Sequence, residues 1–325
     1  MLSAIPFFPP VKFDLGFIEI HGFGIMVALG LWLGTEMAMR KAKRDGLDPD
    51  IINRVVTWMI VGIFVGGHLG HAFFYAPEEI EKQGWVYLLK VWDGLSSFGG
   101  FIFTSFLCWL FFRKENNRVR RENSVRVTEG KKLLFPVRAT HYGDCVIYGF
   151  PMAFGLGRIG CFLAHDHPGK ESDFFLSTWG VCKDAYTRAS ASGECPAEYT
   201  LFGEYCYDLT RACHDLGLYE AIWACSLIGI VALLDRKGRF PGFYLALIPM
   251  YYAPVRFSLD YLRTVDVRYW GLTPAQYGTM LLFTIGLAVF LSFRRKTPVR
   301  QQTAESDYIP YDPQEEKVST TPNNE

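Results

Sequence analysis

Long apolar runs, separated by polar and charged segments, dominate the pattern of this chain. Seven runs each approach the length of about 20 residues that a helix needs to cross a bilayer. Several contain Gly or Pro, which transmembrane helices tolerate better than soluble helices do. A large soluble helical protein is the alternative, but so many long runs in one chain argue against it. The runs cover residues 22–39, 55–75, 95–112, 142–164, 218–234, 240–262 and 277–293.

This pattern predicts an all-α integral membrane protein with seven transmembrane helices. We expect one seven-helix domain over residues 1–295, with a Cys-containing extracytoplasmic loop at about 165–217. Residues 296–325 are expected to form a disordered cytoplasmic tail. The end of the chain is polar, acidic and contains Pro, a composition that buries too little apolar surface to fold alone.

Lys and Arg cluster in alternate loops, and this sets the expected orientation. They are dense after the first, third and fifth runs and directly after the last run, and sparser in the intervening loops. Because cytoplasmic loops carry the excess of Lys and Arg, the N-terminus is expected outside and the C-terminus in the cytoplasm.

The formal net charge is zero, from 33 basic and 33 acidic side chains, which argues against a nucleic-acid-binding protein.

Half of the eight cysteines lie in the long loop that is expected outside. In an oxidising compartment, four cysteines predict two disulfides, and three pairings are possible. Metal binding is the competing interpretation, but the loop has no C-x-x-C spacing. These disulfide candidates are Cys182, Cys195, Cys206 and Cys213.

Threading the runs through a bilayer places many polar side chains at one level, near the outer surface. Charged groups within a bilayer cost several kcal/mol each and usually face a cavity or the bundle interior. The sequence therefore predicts a polar site between the outer helix ends. Its candidate residues are His21, His68, His71, Ser96, Ser97, Arg158, His165, Asp166, His167, His214, Glu220, Arg256, Asp260 and Arg263.

Simpler interpretations exist for some of these residues. Arg263 is also explained as an anchor that snorkels to the interface. Arg256 and Asp260, at i and i+4, are also explained as an ion pair within one helix. Arg158 is harder to explain in this way, because glycines surround it and permit close approach of a helix or a ligand. Two arginines from different helices suit an anionic phosphate, which guanidinium binds bidentately.

Two further stretches fit a site at this level. In "GGHLGHAFFY" (66–75), His68 and His71 share a helix face. Such a pair can bind metal, but polar lining is its commoner role, and we expect neither a metal nor a cofactor. "WDGLSSFGG" (92–100) is a Gly/Ser turn containing Ser96 and Ser97, which serves either as a helix entry or as a contact for a lipid headgroup.

Three motifs of the chain are similar to those of one known family. "GLGRIGCFLAHD" is similar to a signature Gly-Arg-hydrophobic-Gly-Asn-Phe followed by Gly-Glu, with Arg158 on an essential arginine. "YYAPVRFSLDYLR" is similar to a sixth-span motif, with Arg256 on a second essential arginine. "HDLGLYEA" is similar to His-Pro-Ser-Gln-Leu-Tyr-Glu and retains His214, Tyr219 and Glu220. By these motifs the chain resembles, over residues 13–295, the prolipoprotein diacylglyceryl transferase family of bacterial inner-membrane enzymes.

The chain departs from the family pattern at several positions. Phe98 stands where the family has a histidine that is proposed to be catalytic. Cys161 replaces the asparagine that follows the essential arginine, and His68 replaces another arginine. The chain is therefore interpreted as a divergent member of the family.

The resemblance implies a multi-pass protein of the inner membrane that transfers a diacylglyceryl group from phosphatidylglycerol to a prolipoprotein. The acceptor is the lipobox cysteine thiol, and glycerol phosphate leaves. Two alternatives stay open: a related transferase with a different acceptor, and a non-catalytic paralogue that binds phospholipid or prolipoprotein. A transporter fits less well, because the charges lie near one surface rather than at the midplane.

The chemistry of this transfer, applied to the polar residues of the site, gives their expected roles. Arg158 and Arg256 are expected to hold the phosphate, and acidic side chains are expected to orient them. A thiol with a pKa of about 8.5 also needs a base or a cationic neighbourhood. The expected catalytic residues are Arg158, Arg256, His68, His71 and His167, with His165 a further candidate base. The expected substrate-binding residues are Arg158, Asp166, His214, Tyr219, Glu220, Asp260, Arg263, Ser96, Ser97 and His21.

Overall fold

The computed structural model describes residues 5–14, 16, 19–90, 94–183, 186–188, 194–197, 199–202, 205–264 and 268–304. Helices predominate within these residues, with short strands between some of them. The α-helices are α1 (Gly22–Arg44), α2 (Pro49–Phe74), α3 (Pro77–Gln83), α4 (Ser97–Thr128), α5 (Ala139–Ala164), α6 (Leu216–Leu234), α7 (Phe243–Leu259), α8 (Pro274–Phe293) and α9 (Val299–Ala304). The 3-10 helices cover Gly84–Leu89 and Asp260–Leu262. The strands are β1 (Lys12–Asp14), β2 (Glu19–His21), β3 (Pro168–Glu171), β4 (Ser177–Trp179), β5 (Tyr186–Arg188), β6 (Tyr199–Phe202), β7 (Tyr205–Asp208) and β8 (Ala212–Asp215).

Among the described residues, five helices are long and apolar enough to cross a membrane: α1, α2, α5, α6 and α8. The predicted third span falls in α4, where the apolar first half continues into a second half rich in basic residues. The predicted sixth span falls in α7, which has 17 residues and contains Pro249 and Pro254. The described chain is therefore a multi-pass membrane protein with five candidate spans, fewer than the seven runs predicted.

Short strands correct the prediction of an all-α protein. β1 and β2 form an antiparallel pair, while two three-stranded sheets have the orders β3-β8-β4 and β5-β7-β6. Both three-stranded sheets lie in the Cys-containing loop between α5 and α6. Strands of three or four residues are too short to show a clear alternation of apolar and polar positions, and this explains why the sequence pattern did not predict them.

The chain divides into two compact units. The first contains residues 1–34, 147–237 and 243–294, and the second contains residues 35–146, 238–242 and 295–325. Both α1 and α5 contribute residues to each unit. The candidate arginines and acidic residues belong to the first unit, whereas His68, His71 and the Gly/Ser turn belong to the second.

Glycines allow close helix packing within the first unit. A Cβ added at Gly30 of α1 would lie 2.8 Å from the carbonyl oxygen of Ala153 on α5. One added at Gly217 of α6 would lie 2.9 Å from the amide nitrogen of Phe162 on α5. Small residues permit this approach, which a larger side chain would prevent. The start of α6 is thereby held against the last turns of α5, close to Arg158.

Two disulfides hold the strand-containing loop together. The structure joins Cys182 to Cys213 and Cys195 to Cys206, one of the three pairings that the sequence left open. Cys213 lies in β8, the central strand of its sheet. β8 runs directly into α6, whose N-cap residue Asp215 accepts a hydrogen bond from the amide of Leu218. The first disulfide therefore anchors the strand that leads into α6.

In the second unit, α2 and α4 pack through glycine. A Cβ at Gly66 would clash with the Cβ of Phe103, and one at Gly70 would lie 2.6 Å from the Cα of Gly99. The i, i+4 spacing of the two α2 glycines puts both on the face that meets α4. This packing explains the glycines of the "GGHLGHAFFY" motif without a ligand.

The first part of the tail that the sequence predicts to be disordered contains a helix. Within residues 296–325, Val299–Ala304 forms α9, and Val299 is buried. Nε of Arg300 lies 2.8 Å from Oδ1 of Asp45, and the hydroxyl of Thr303 donates to the carbonyl oxygen of Asp45. These contacts attach the first part of the tail to its own unit. Residues 305–325 lie outside the described part of the chain.

Candidate active site

Arginines from two helices of the first unit share one buried carboxylate. Nε of Arg158, on α5, forms an ion pair with Oε2 of Glu220, on α6. The other carboxylate oxygen, Oε1, lies 3.5 Å from Nε of Arg256, on α7. Only 2% of the Glu220 side chain is exposed. Glu220 therefore links three helices and fixes two guanidinium groups on either side of one carboxylate.

Asp260 extends this cluster beyond the end of α7. Its Oδ1 lies 3.3 Å from Nη2 of Arg256 and 3.9 Å from Nη1 of Arg263. Its Oδ2 accepts a hydrogen bond from the hydroxyl of Thr273. The Asp260 side chain is fully buried. The i, i+4 pair of Arg256 and Asp260 is thus one part of a network that spans several elements.

A capping box at the start of α8 holds Thr273 in place. The Thr273 hydroxyl accepts from the amide of Gln276, and Oε1 of Gln276 accepts from the amide of Thr273. The Gln276 side chain also donates to the carbonyl oxygen of Phe257, on α7. Sequence reasoning missed both residues. The Thr-Pro-Ala-Gln sequence is a capping-box signature that would have indicated this helix start.

Two guanidinium groups lie around the Glu220 carboxylate in this cluster. Asp260 contacts the second of these arginines, Arg256, from the other side. Arg158 and Arg256 are largely buried, with 16% and 12% of their side chains exposed. Charge–charge attraction is stronger away from water. The arrangement therefore favours an anion, and phosphate matches the paired donors of guanidinium.

The last turn of α5 ends in a Schellman motif. His165 adopts the left-handed conformation, with φ of 53°. The His165 amide donates to the carbonyl oxygen of Phe162, and the Asp166 amide donates to that of Cys161. A glycine usually occupies the left-handed position, so a histidine there carries a conformational cost. The turn folds Asp166 back toward the position of Cys161.

The histidine ring at this turn is held by its neighbours. Nε2 of His165 lies 2.8 Å from the carbonyl oxygen of Phe8, and its Nδ1 lies 3.7 Å from Oδ2 of Asp215. The rings of Phe7 and Phe8 pack against the imidazole. These contacts offset the cost of the left-handed conformation. Because Nε2 is engaged with a carbonyl oxygen, His165 has a structural role in this turn.

A chain of contacts connects Asp166 and His167 to Arg158. Nδ1 of His167 contacts Oδ1 of Asp166, and its Nε2 lies 3.1 Å from Nη1 of Arg158. Guanidinium only donates hydrogen bonds, so Nε2 accepts and the ring proton lies on Nδ1, facing the carboxylate. Nη1 of Arg158 also lies 3.6 Å from Sγ of Cys161. Asp166, expected to orient an arginine directly, instead contacts the histidine that does so.

His214 and Tyr219 form a pair beside this site. Nδ1 of His214, in β8, lies 2.7 Å from the hydroxyl oxygen of Tyr219, in α6. Partial burial lowers the pKa of the His214 imidazole below its usual value. The neutral ring then accepts the tyrosine proton in a hydrogen bond, which helps to fix the junction between β8 and α6.

The remaining candidates have varied surroundings. His21 ends β2 with an exposed side chain. In the second unit, both ring nitrogens of the buried His68 face backbone carbonyl oxygens, at 3.3 Å for Gly94 and 3.1 Å for Tyr87. This arrangement engages the ring in packing rather than leaving a nitrogen available to a substrate.

Two more candidates of the second unit lie near helix ends. His71 stacks on Tyr75, with ring centroids 6.2 Å apart. Ser96 is the N-cap of α4 and accepts a hydrogen bond from the amide of Gly99. The side chain of Ser97 lies outside the described part of the structure. The serines of the Gly/Ser turn therefore lie at a helix entry, one of the two roles that the sequence allowed.

Fold and site together define a multi-pass membrane protein with a guanidinium-rich site that suits an anionic ligand. The chain belongs to the prolipoprotein diacylglyceryl transferase family, whose model matches residues 10–292. A phosphatidylglycerol–prolipoprotein diacylglyceryl transferase of Chromohalobacter salexigens is 28% identical, covering 91% of this chain and 96% of its own. Proteins of the same name from Stenotrophomonas maltophilia and Pectobacterium carotovorum are 27% and 26% identical. They cover 90% and 92% of this chain, and 94% and 98% of their own length.

Proposed function

We propose that this chain transfers the diacylglyceryl group of phosphatidylglycerol to the lipobox cysteine thiol of prolipoproteins. The names of its relatives supply the donor and the class of acceptor. The observation that carries the proposal is the arrangement of Arg158 and Arg256 around Glu220, because it provides fixed positive charge in a largely buried site.

The arginines act on the phosphate of the donor lipid. As the carbon–oxygen bond of the glyceryl group breaks, negative charge develops on the departing glycerol phosphate. Guanidinium groups that are already positioned stabilise this charge without reorganisation. Glu220 and Asp260 hold the two arginines in place, and Thr273 holds Asp260. The paired N–H donors of the two guanidinium groups match the oxygens of the anionic phosphate.

The acceptor thiol must ionise before its sulfur attacks. A thiolate is the reactive form, and a cationic neighbourhood or a base favours it. We assign thiol activation to the cationic neighbourhood of Arg158, which His167 and Asp166 help to hold in place: Nη1 of Arg158 lies 3.1 Å from Nε2 of His167, and Asp166 contacts the other ring nitrogen. The thiol and the phosphate would then be handled by adjoining side chains.

We also propose that the chain spans the bacterial inner membrane seven times, with the N-terminus outside. The apolar halves of α4 and α7 add two spans to the five longer candidates. The basic second half of α4 then lies in the cytoplasm, as the positive-inside rule requires. Labelling of single cysteines with a membrane-impermeant maleimide tests this: a cysteine placed at Ser124 is protected in intact cells, and one placed at Phe175 is labelled.

A complementation experiment tests the proposed activity. The host's own transferase is depleted, this chain is expressed, and prolipoprotein is examined by mass spectrometry for the added diacylglyceryl group. We expect lipidation with the natural chain and with Arg40→Lys, a control at an exposed arginine. We expect none with Arg158→Ala. A well-folded membrane protein that lipidates no prolipoprotein would favour a different acceptor or a binding role instead.

A further inference from the structure

Three aromatic rings from three helices contact one another beside the arginine site. The ring of Trp223, on α6, has its centroid 5.0 Å from that of Tyr252, on α7, and 6.3 Å from that of Phe154, on α5. The rings of Phe154 and Tyr252 are 5.5 Å apart. The helices α5 and α6 pack closely at this level, since a Cβ added at Gly155 would lie 3.1 Å from the Cβ of Ala224. We call these three aromatic side chains the aromatic triad.

The aromatic triad lies one helical turn further from the helix ends than the charged residues of the site do. On each helix, three or four positions separate the ring from the charge, which is a rise of about 4.5 to 6 Å. Residues with this spacing lie on the same face of a helix. The triad therefore forms a second layer next to the layer of charges. The pairs are Phe154 with Arg158, Trp223 with Glu220, and Tyr252 with Arg256.

Trp223 carries a hydrogen-bond donor that has no acceptor within the described part of the chain. Its Nε1 is buried and unpartnered, and only 7% of the residue is exposed. An indole N–H only donates, and a buried one usually finds an acceptor because an unpaired donor is costly. Tyr251 stacks on the indole, with ring centroids 5.6 Å apart, so packing fixes the plane in which the N–H lies. The site thus holds a positioned donor that a ligand can satisfy.

The donor lipid offers its groups in the same order as these two layers. In a glycerophospholipid, the phosphate is followed by the glycerol unit, then by the ester carbonyls, and then by the acyl chains. With the phosphate on the arginines, the ester carbonyls reach the aromatic triad, about one helical turn away. We propose that the indole N–H of Trp223 donates a hydrogen bond to an ester carbonyl oxygen of phosphatidylglycerol and makes the site selective for ester-linked over ether-linked lipids. This inference rests on the proposed function, because it places the phosphate of the donor on Arg158 and Arg256.

The surroundings of the indole favour a carbonyl group over a water molecule. A buried water needs two to four polar partners. The indole instead contacts the rings of Phe154, Tyr251 and Tyr252, which suit an acyl chain. An ether-linked lipid fills the same space but has no carbonyl oxygen, so it leaves the N–H unpaired. This difference is the physical basis of the proposed selectivity.

Equilibrium binding tests the contact without reference to transfer. The full-length protein, purified in detergent, is loaded with a fluorescent phosphatidylglycerol, which is displaced by phosphatidylglycerol with either ester-linked or ether-linked chains of equal length. We expect the ester-linked lipid to bind about 3- to 10-fold more tightly to the natural chain, the range that one hydrogen bond supplies. Trp32→Phe, at a largely exposed tryptophan of α1, should keep this preference. Equal affinities in the natural chain would overturn the proposal.

Variants assign the donor to the indole. Trp223→Phe keeps an aromatic ring and removes the N–H, so it should bind both lipids with equal affinity. If this variant does not fold, β-(3-benzothienyl)alanine in place of Trp223 keeps the shape of the indole without the N–H and should also bind both lipids equally. Tyr252→Phe removes the neighbouring hydroxyl and should keep the ratio of the two affinities. A preference that survives loss of the N–H, or that disappears in Tyr252→Phe, would overturn the assignment to Trp223.

Transfer assays separate this inference from the proposed function. Lipidation of a lipobox peptide by the natural chain with the same kcat/KM for both lipids would overturn the ester contact and leave the proposed function intact. A protein that shows the binding preference and loses it in Trp223→Phe, yet never lipidates the peptide, would support the contact and overturn the proposed function.

Discussion

Glu220 is the residue on which the arrangement of the site depends. Its two oxygens each serve a different arginine, and its side chain is almost fully buried. A buried ion pair that loses one member leaves an uncompensated charge, which costs far more than the pair contributes. The carboxylate therefore does more than orient its partners, since without it two guanidinium groups would lie close together away from water.

We expect Glu220→Ala to destabilise the purified protein by about 3 kcal/mol or more, because it leaves both arginines without their shared carboxylate. Glu220→Gln should cost less, since the amide oxygen still accepts a hydrogen bond. Thermal unfolding in detergent measures both. Glu36→Ala is the control, because Glu36 pairs with Arg40 at an exposed site. Equal losses for Glu220→Ala and Glu36→Ala would contradict the bridging role.

The lowered pKa of His214 should make the stability of the folded protein depend on pH. Its pKa is lowered by burial, so the folded state prefers the neutral ring, whereas the unfolded chain protonates near the ordinary value of about 6.5. Its contribution is therefore fully present above the unfolded pKa and is lost as pH falls through the folded pKa. Melting temperatures at descending pH should fall more steeply for the natural chain than for His214→Gln. Parallel profiles would show that His214 does not titrate in this way.

The sequence predicted which residues gather at the site, whereas the contacts between their side chains are known only from the structure. The convergence of Arg158 and Arg256 followed from apolar runs and their direction through the bilayer, because both arginines fall near the same end of their helices. The sequence did not predict which side chain each acidic residue contacts. Asp166 contacts His167 rather than an arginine, since the left-handed turn at His165 reverses the chain.

At the level of secondary-structure elements, most side chains of the site lie at or near the ends of helices. α5 ends in the turn that carries Asp166 and His167, α6 begins beside β8, and α8 begins with the capping box that holds Asp260. Such ends depend on one or two hydrogen bonds and a specific backbone conformation. Hydrophobic periodicity locates helices well but places their ends only within a few residues. Most of the missed features therefore lie at ends.

The capping box of α8 gives a prediction at this scale. Thr273→Val removes the hydroxyl that caps α8 and that donates to Asp260, so stability should fall by about 1 kcal/mol from the cap alone. Asp260 also loses its donor, and the apparent KM for phosphatidylglycerol should rise as Arg256 becomes less well placed. Thr273→Ser keeps the hydroxyl and should restore both quantities. If Ser fails to restore KM, Thr273 does not act through Asp260.

At the scale of the whole molecule, the sequence predicted the five candidate membrane spans α1, α2, α5, α6 and α8, but it did not predict the sheets. The strands of the loop between α5 and α6 are short, and disulfides and the N-terminal segment hold them. The amide of Ile5 donates to the carbonyl oxygen of Ser177, and the Trp179 amide donates back to Ile5. Contacts between residues so distant in the chain leave no local pattern in the sequence.

The two disulfides should differ in their effect on stability. Cys182 and Cys213 are 31 residues apart, whereas Cys195 and Cys206 are 11 apart. In the chain-entropy account, the longer loop restricts the unfolded chain more, giving about 4 kcal/mol against about 3 kcal/mol. Paired Cys→Ala variants, compared by denaturation in detergent, should follow this order. A larger loss on removing the shorter loop would contradict the expectation.

The central claim is that Arg158 and Arg256 act together on the phosphate of the donor lipid. The most direct measurement uses the purified protein in phosphatidylglycerol nanodiscs, with a lipobox peptide as acceptor and mass spectrometry as the readout. Arg158→Lys and Arg256→Lys keep the charge but lose the paired donors. We predict that each lowers the transfer rate by about 100-fold or more. Transfer at the natural rate in either variant would contradict the account.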